Sequence, residues 1–548
     1  MDTPESYQDA VSSFRWAVPA RYNIAWEVCG RHALDRYRFA LYYEDDQGNT
    51  SAWTFWDLQR RANRLSNALA ALGVVRGDRV AIVLPQRPET VIAHVACYQM
   101  GAVAMPLSIL FGPDALEYRL QNSEAKVALV DEAALPNLLP IRERLPEPGH
   151  IIGVGGARET GVTGWAALLD KASPHFSRVD TAAGDPALLI YTSGTTGPPK
   201  GALMPQQALL GNLPGFSFSH DIFPRSGDMF WSPADWAWTG GLMDALLPTL
   251  NYGYPILGYR GRFDPEKALW LMEKYGVRNA FLFPTALKLM MKAVPEPRQR
   301  YDLQLRSIMS AGEPLGETVF NWARDALGIT VNEMFGQTEM NYVVGNSAAI
   351  WPAKPGAMGR PYPGHRVAVI DDQGEKLPRG EVGEVAVHRA GDPVFFIEYW
   401  KAPEATRNKY TGDWCRTGDL AKMDDEGYLW YMGRADDVFK SAGYRIGPAE
   451  IENCLLKHPS VANAAVVGKP DPERGALVKA FIVLAAGFGL SEELEAEIQA
   501  HVRGRLAPYE YPKEIEFIEC LPMTTTGKVQ RRVLRQREQE RLRAAGKA

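Results

Sequence analysis

Cysteine is scarce in this chain: there are five in 548 residues, Cys29, Cys97, Cys415, Cys454 and Cys520, an odd number with no CxxC pair. That pattern excludes a disulfide framework and a structural zinc site and points to a reducing compartment. No stretch approaches the about 18 consecutive apolar residues of a membrane helix. The amino terminus, MDTPESYQDAVSS, lacks both the basic and the apolar region of a secretory signal. Net charge is only -5, so no global field favours nucleic acid or an anionic membrane. Internal repeats and low-complexity segments are missing too. With 46% hydrophobic and 23% charged residues, the expectation is a cytoplasmic globular protein, too long at 548 residues for a single core.

Two familiar nucleotide motifs are also absent. Gly153 to Gly156 reads GVGG, but a dinucleotide fingerprint needs glycine where Arg158 stands. The segment YTSGTTGPPKGA, Tyr191 to Ala202, spaces Gly194, Gly197 and Lys200 unlike a Walker A loop, and Gly201 follows the lysine. What this segment does contain is more telling. Ala187 to Ile190 forms a short apolar run suited to a buried strand. The strand delivers a turn in which Gly194, Gly197 and Gly201 allow close backbone approach, Thr192, Ser193, Thr195 and Thr196 supply hydroxyls, and Lys200 supplies a positive charge. Such a loop suits a polyphosphate.

Periodicity outlines the surroundings. Thr54 caps a helix whose Phe55, Leu58, Ala62, Leu65 and Leu69 share one face up to Gly73. Val80 to Leu84 and Val127 to Val130 read as buried strands separated by helices, which predicts an α/β fold with a mostly parallel sheet covered on both faces. Residues 136 to 164, rich in Pro, Gly and Arg, read as a loose connection. Val367 to Ile370 and Gly383 to His388 read as a hairpin, and Ile308 to Pro314 as a strand ending in a turn. Ala464 to Val467 and Lys479 to Leu484 read as strands near the carboxy terminus, followed by a helix from about Ser491 to Leu506. The Arg-rich end, Arg531 to Lys547, reads as a solvated helix.

The Tyr191 to Ala202 loop resembles the phosphate-binding motif of the acyl-adenylate-forming superfamily, which contains acyl-CoA synthetases, adenylation domains of peptide synthetases and firefly luciferase. Four further segments carry the resemblance in the family's order: DWAWTGGL at Asp235 to Leu242, EMFGQTE at Glu333 to Glu339, RTGD ending at Asp419 with Arg434 beyond it, and PMTTTGK at Pro522 to Lys528. The resemblance implies a large amino-terminal domain (1-433), a hinge (434-437) turning about Asp436, and a small mobile α+β domain (438-548). It implies that ATP lies among Thr192, Ser193, Gly194, Thr195, Thr196, Gly197, Lys200, Gly312, Glu313, Pro314, Glu333, Met334, Phe335, Gly336, Gln337 and Thr338. Phe335 can stack on adenine, Thr338 can donate to a phosphate, and Glu339 can hold Mg2+. Asp419 can accept both ribose hydroxyls, with Arg434 beside it. Arg445 and Lys528 meet the phosphates.

The same resemblance places the acid among Trp238, Thr239, Gly240, Gly241 and Gly336, and coenzyme A along Ala442, Gly443, Tyr444, Arg474, Tyr511, Pro512 and Lys513. Acetate-specific relatives carry tryptophan immediately before Gln-Thr-Glu. Gly336 has no side chain there, so the resemblance implies a deeper pocket, an acid larger than acetate, and a shift toward acetate in Gly336→Trp. The implied activity is an acyl-CoA synthetase for a short- to medium-chain acid, with ATP, Mg2+ and coenzyme A; the oligomeric state stays open. Alternatives are an enzyme loading a separate carrier protein, a luciferase-like oxygenase and a noncatalytic nucleotide-binding relative. The setting of Lys528 also resembles lysines silenced by acetylation.

Overall fold

The computed structural model describes the chain apart from residues 1–2, 146–148, 157–158, 193–197, 438, 442–443, 472–474, 507–509, 525–528 and 545–548. Two large sheets form most of it. The first has eight strands with a parallel centre: Pro186–Thr192, Val103–Pro106, Arg79–Val83, Val127–Asp131, His150–Val154 and Val162–Gly164 lie side by side. Lys200–Pro205 folds back antiparallel on Pro186–Thr192, and Glu398–Tyr399 adds a further edge strand. The helix Phe55–Ala71 starts at Thr54, whose hydroxyl and Asp57 cap each other reciprocally, and it buries the expected face. Pro88–Met100 is buried on all sides and stops at Gly101, where φ is 68°.

The region 136 to 164 is a correction. It holds a short helix, Leu135–Leu138, and two sheet strands, His150–Val154 and Val162–Gly164, rather than a loose connection. Ile151, Ile152 and Val154 are buried, so these residues supply core that the neighbouring Pro and Gly conceal in the sequence.

The second sheet has fourteen strands. Its parallel part runs through Phe39–Asp45, Ile256–Arg260, Phe230–Trp231, Asn279–Phe281, Ser307–Ala311 and Val331–Gln337. Beyond Val331–Gln337 the pairing turns antiparallel and includes the expected hairpin of Val367–Ile370 with Val382–His388. Buried polar contacts join the two sheets. Gln86 donates to the carbonyls of Ser232 (3.0 Å) and Ala234 (2.6 Å) and accepts from the Tyr259 amide (3.0 Å). Asp131, with no exposed side-chain surface, sits between Arg87 (2.6 Å) and Arg260 (3.0 Å).

The carboxy-terminal part builds a separate three-stranded sheet, Val461–Asp471, Gly475–Leu484 and Glu514–Phe517, with helices Pro448–Leu455 and Glu492–Arg503. Its two apolar cores contain only residues from Phe439 onward. The final helix, Arg531–Ala544, is not simply solvated. Leu534 is fully buried, Glu538 pairs with the buried Lys479 at 2.9 Å, and Arg531 reaches Glu452 and Asp437. Among the described residues no helix is long and apolar enough to cross a membrane.

Arg87 and Arg260 each keep a second carboxylate, Glu89 and Glu132, so Asp131→Ala removes the shared bridge rather than all compensation and should destabilise the protein by about 2 kcal/mol. The check is the first urea-unfolding transition; a change below about 0.5 kcal/mol, the level of an ordinary surface substitution, would show that the clamp contributes nothing.

Candidate active site at the carboxyl ends of two sheets

In parallel sheets the carboxyl ends of the strands carry the ligand-binding loops. Here Pro186–Thr192, Ser307–Ala311 and Val331–Gln337 end respectively at the phosphate-type turn, at Gly312-Glu313-Pro314 and at Gln337-Thr338-Glu339. Ser193, Gly194, Thr195, Thr196 and Gly197 lie outside the described residues, as do Ala442, Gly443, Arg474 and Lys528. The flanks of the turn are placed. Thr192 stands opposite Lys200 in the strand pair, and its hydroxyl donates to the Lys200 carbonyl at 3.3 Å.

Lys200 and Glu339 meet through a residue with no motif of its own. Tyr399, opposite Ala202 on the edge strand, donates its hydroxyl to Glu339 Oε1. Lys200 Nζ lies 5.4 Å from the centre of the same ring. Burial and the adjacent Glu339 push the Tyr399 phenol far up, so it remains a donor at neutral pH. The amide of Phe396 also donates to the Glu339 carbonyl at 2.9 Å. Thr338 Oγ1 lies 3.0 Å from Thr239 Oγ1, which brings the Gln-Thr-Glu segment against the Trp238 to Gly241 segment.

Among the described residues no cluster of three or more His, Cys, Asp or Glu could hold a metal by protein ligands alone. Glu339, 7% exposed beside the Thr338 hydroxyl, offers one hard carboxylate. That donor fits Mg2+ carried by a polyphosphate: Glu339 would hold the ion, and the remaining oxygen ligands would come from outside the protein.

A second corner is built around Asp419, which faces Arg434 across a strand pair. Both carboxylate oxygens lie 3.3 Å from Arg434 Nη1. Gln337 donates to Asp419 Oδ2 at 2.6 Å and to the Thr417 carbonyl at 2.7 Å, and Lys409 donates to the Gln337 oxygen at 2.9 Å. Lys409 and Tyr431, whose hydroxyl is 3.4 Å from Asp419, escaped the sequence reading, as did Tyr399. Lys409 and Tyr399 belong to segments without a recognisable pattern, and Tyr431, though it lies between Asp419 and Arg434, becomes significant only through its contact.

Between the corners, Gly312 adopts φ 96°, a left-handed conformation that glycine takes without strain. Glu313 accepts from Thr285 at 2.8 Å. Phe335 is half-buried, whereas Met334 belongs to the core. Glu333 is buried and accepts from the Leu315 amide at 3.0 Å, supporting the turn from below.

In the segment expected to hold the acid, Trp238 is half-buried and packs edge-on to Phe111 at 5.7 Å. Asp235 accepts from Ser108 at 2.8 Å and from the Ala237 amide at 3.0 Å, which folds the turn carrying Trp238. Gly240 faces Phe281, and Gly241 lies so close to Asp235 that a Cβ would fall 2.2 Å from its carbonyl oxygen. The expectation for Gly336 needs correction. A Cβ there would lie 2.7 Å from both Asn341 Oδ1 and the Tyr342 amide nitrogen. The space beside Gly336 is occupied by the following strand, so tryptophan cannot be introduced without displacing backbone.

The segments expected to serve coenzyme A lie on the carboxy-terminal body. Lys513 Nζ stands 3.3 Å from the Tyr511 ring centre and Arg503 stacks on the same ring at 4.2 Å, with Pro512 between Tyr511 and Lys513. Tyr444 and Arg445 are placed as backbone, opposite Ser441 and Lys440. Asp436 accepts from Arg434 at 3.3 Å, while Asp437 binds Arg535 at 2.6 Å.

Glu333 makes the site sensitive to pH. Burial raises its carboxyl from 4.5 to about 7, against the Leu315 hydrogen bond. The folded state therefore favours the neutral acid, and stability falls as pH rises from about 4.5 to about 7, by about 3 kcal/mol in all. Glu333→Gln, which keeps the acceptor, should flatten this dependence in urea unfolding between about pH 5 and about pH 8. Parallel curves for the two proteins would contradict it.

Comparison with known proteins agrees with this geometry. Residues 30–400 match the family model described as AMP-binding enzyme, and residues 450–528 match the AMP-binding enzyme C-terminal domain. The chain is 37% identical to an uncharacterized acyl-CoA ligase, YtcI, of Bacillus subtilis (strain 168), over 97% of this chain and 98% of that protein. It is 36% identical to the acetyl-coenzyme A synthetase of the same organism, over 97% and 95%. Among solved structures, an anthranilate CoA ligase, AuaEII, in complex with anthranoyl-AMP superposes with a TM-score of 0.87 at 29% identity, covering 96% of this chain and 99% of that one. The chain belongs to the AMP-binding enzyme family.

Proposed function

We propose that this protein is an ATP-dependent acyl-CoA synthetase that converts a carboxylic acid, ATP and coenzyme A into acyl-CoA, AMP and pyrophosphate. One observation carries the reading. Lys200, the Thr338–Glu339 pair and the Asp419–Arg434 pair come from distant parts of the sequence and are joined through Tyr399 and Gln337.

A carboxylate does not react with a thiol at neutral pH because oxide would have to leave. In the first step a carboxylate oxygen attacks the α-phosphorus and the bond to pyrophosphate breaks, giving an acyl-AMP anhydride. In the second, the coenzyme A sulfur attacks the acyl carbon, the bond to the AMP oxygen breaks, and the thiol proton is lost to solvent. Negative charge on the phosphorus oxygens is met in the first step by Lys528 and Arg445, with Lys200 along the phosphate chain. Mg2+ bound at Glu339 supplies charge neutralisation to the phosphates. Asp419 and Arg434 orient the ribose, Phe335 covers the adenine, and Gly312, Glu313 and Pro314 border it.

The boundaries at 433 and 438 are part of the proposal. Asp436 bonds to Arg434, where the strand Leu429–Arg434 of the fourteen-stranded sheet ends, and Asp437 bonds to Arg535 on the last helix. That division suits a hinge at 434-437, about which the small domain withdraws Lys528 and brings up Gly443, Arg474 and the Tyr511–Lys513 segment for the thioester step. The acid is larger than acetate and short to medium in length, a reading that rests on the resemblance and not on room beside Gly336, which Asn341 and the Tyr342 backbone fill. We place the protein in the cytoplasm, with acetylation of Lys528 as a means of removing its charge.

Lys528→Ala should lower acid-dependent exchange of labelled pyrophosphate into ATP by about 100-fold or more, on the scale of losing one donor to a charged transition state. Thioester formation from synthetic acyl-AMP and free coenzyme A should be spared. Full exchange in the variant removes the assignment, and wild-type exchange without any thioester product points to a carrier-loading enzyme instead.

A further inference from the structure

Two polar side chains are buried together between the segments that hold the acid in this reading. Asn341 belongs to the strand Met340–Gly345, directly after Glu339, and Asp244 belongs to the helical turn Leu242–Leu246, directly after Gly241. The Asn341 amide donates to Asp244 Oδ1, and each residue keeps 4% of its surface accessible. Their neighbours along the chain are apolar and buried: Leu242, Met243, Ala245 and Leu246 on one side, Met340 and Val343 on the other. The Tyr342 hydroxyl reaches the Asp244 carbonyl at 3.5 Å.

A pair of this kind is costly as packing alone. Apolar side chains of similar shape would fill the space at little or no loss, whereas each polar group must be desolvated and satisfied. Burial pushes the Asp244 carboxyl well above its ordinary range, against the hydrogen bond from Asn341. An amide and a carboxyl group together have more hydrogen-bonding capacity than their one mutual bond uses. The amide oxygen lies beside Gly336, a residue of the segment expected to hold the acid: a Cβ there would come within 2.7 Å of it. Polar atoms, rather than a bulky ring, stand beside Gly336.

We propose that Asp244 and Asn341 form a polar end to the acyl pocket and select an acid bearing a hydroxyl group away from its carboxylate. The proposal rests on the synthetase reading and narrows its substrate class. Selection would act by difference: a methyl group in place of the hydroxyl leaves the buried amide and acid facing an apolar partner, which is penalised far more than a change of size.

The test is pyrophosphate exchange with matched acids, hydroxyl against methyl at the same position, across the series from butyrate to octanoate and on the benzoate ring. At least one hydroxylated acid should exceed its methyl partner in kcat/KM by about tenfold or more. In the Asp244→Ala/Asn341→Ala double variant that ratio should fall toward unity. Methyl acids that do as well or better in every pair overturn the proposal, as does an unchanged ratio in a folded double variant. Should the double variant fail to fold, the wild-type ratios decide. Exchange without hydroxyl preference removes this inference alone, whereas no exchange with any acid removes the synthetase reading and this inference with it.

Discussion

The hydrogen bond from Tyr399 to Glu339 ties the two large sheets together where their functional ends converge. Tyr399 sits on the edge of the eight-stranded sheet, paired with Ala202 of the strand that begins at Lys200. Glu339 follows the last parallel strand of the fourteen-stranded sheet. A hydrogen bond to a charged group is worth about 1.5–3 kcal/mol when neither partner is left exposed, but its larger effect is positional. It fixes Glu339, the carboxylate proposed to hold magnesium, beside Lys200, one of the lysines proposed to meet phosphate. The adjoining contacts of Thr338 with Thr239 and of Gln337 with Asp419 extend the same alignment to the segments proposed to hold the acid and the ribose.

This arrangement explains why the chemistry needs no covalent attachment to the protein. The reacting groups are an acid, a phosphate and a thiol, and what the protein supplies is fixed positive charge, orientation and a place from which water is kept away. Gln86 and the Asp131 clamp hold the sheets beneath the site, while the carboxy-terminal body has its own cores and joins the rest through the Arg434 to Asp437 segment. A rigid platform with a separately built partner is what two successive half-reactions at one place require.

Much of this was legible in the sequence because it depends on local pattern. The Thr54 cap, the apolar face from Phe55 to Leu69 and the parallel strands around 80 and 127 follow from spacing alone. The strand at His150–Val154 was hidden by Gly153, Gly155 and a Pro-rich approach, since a short buried strand has no periodicity to outweigh such punctuation. The last helix looked solvated because arginine dominates it, yet Arg531 and Arg535 are held by Glu452 and Asp437 far back in the chain. Tyr399, Lys409 and the Asp244–Asn341 pair were invisible for the same reason: their meaning lies in a partner remote in sequence. Gly336 shows the converse. An absent side chain suggested open space, but a neighbouring strand fills it.

The most direct test of the account is a crystal structure with ATP and Mg2+ bound. The triphosphate should lie along the turn between Thr192 and Lys200, with the metal at Glu339 and the ribose hydroxyls on Asp419. A triphosphate bound elsewhere, or a nucleotide at this place whose metal and ribose are far from Glu339 and Asp419, would contradict it.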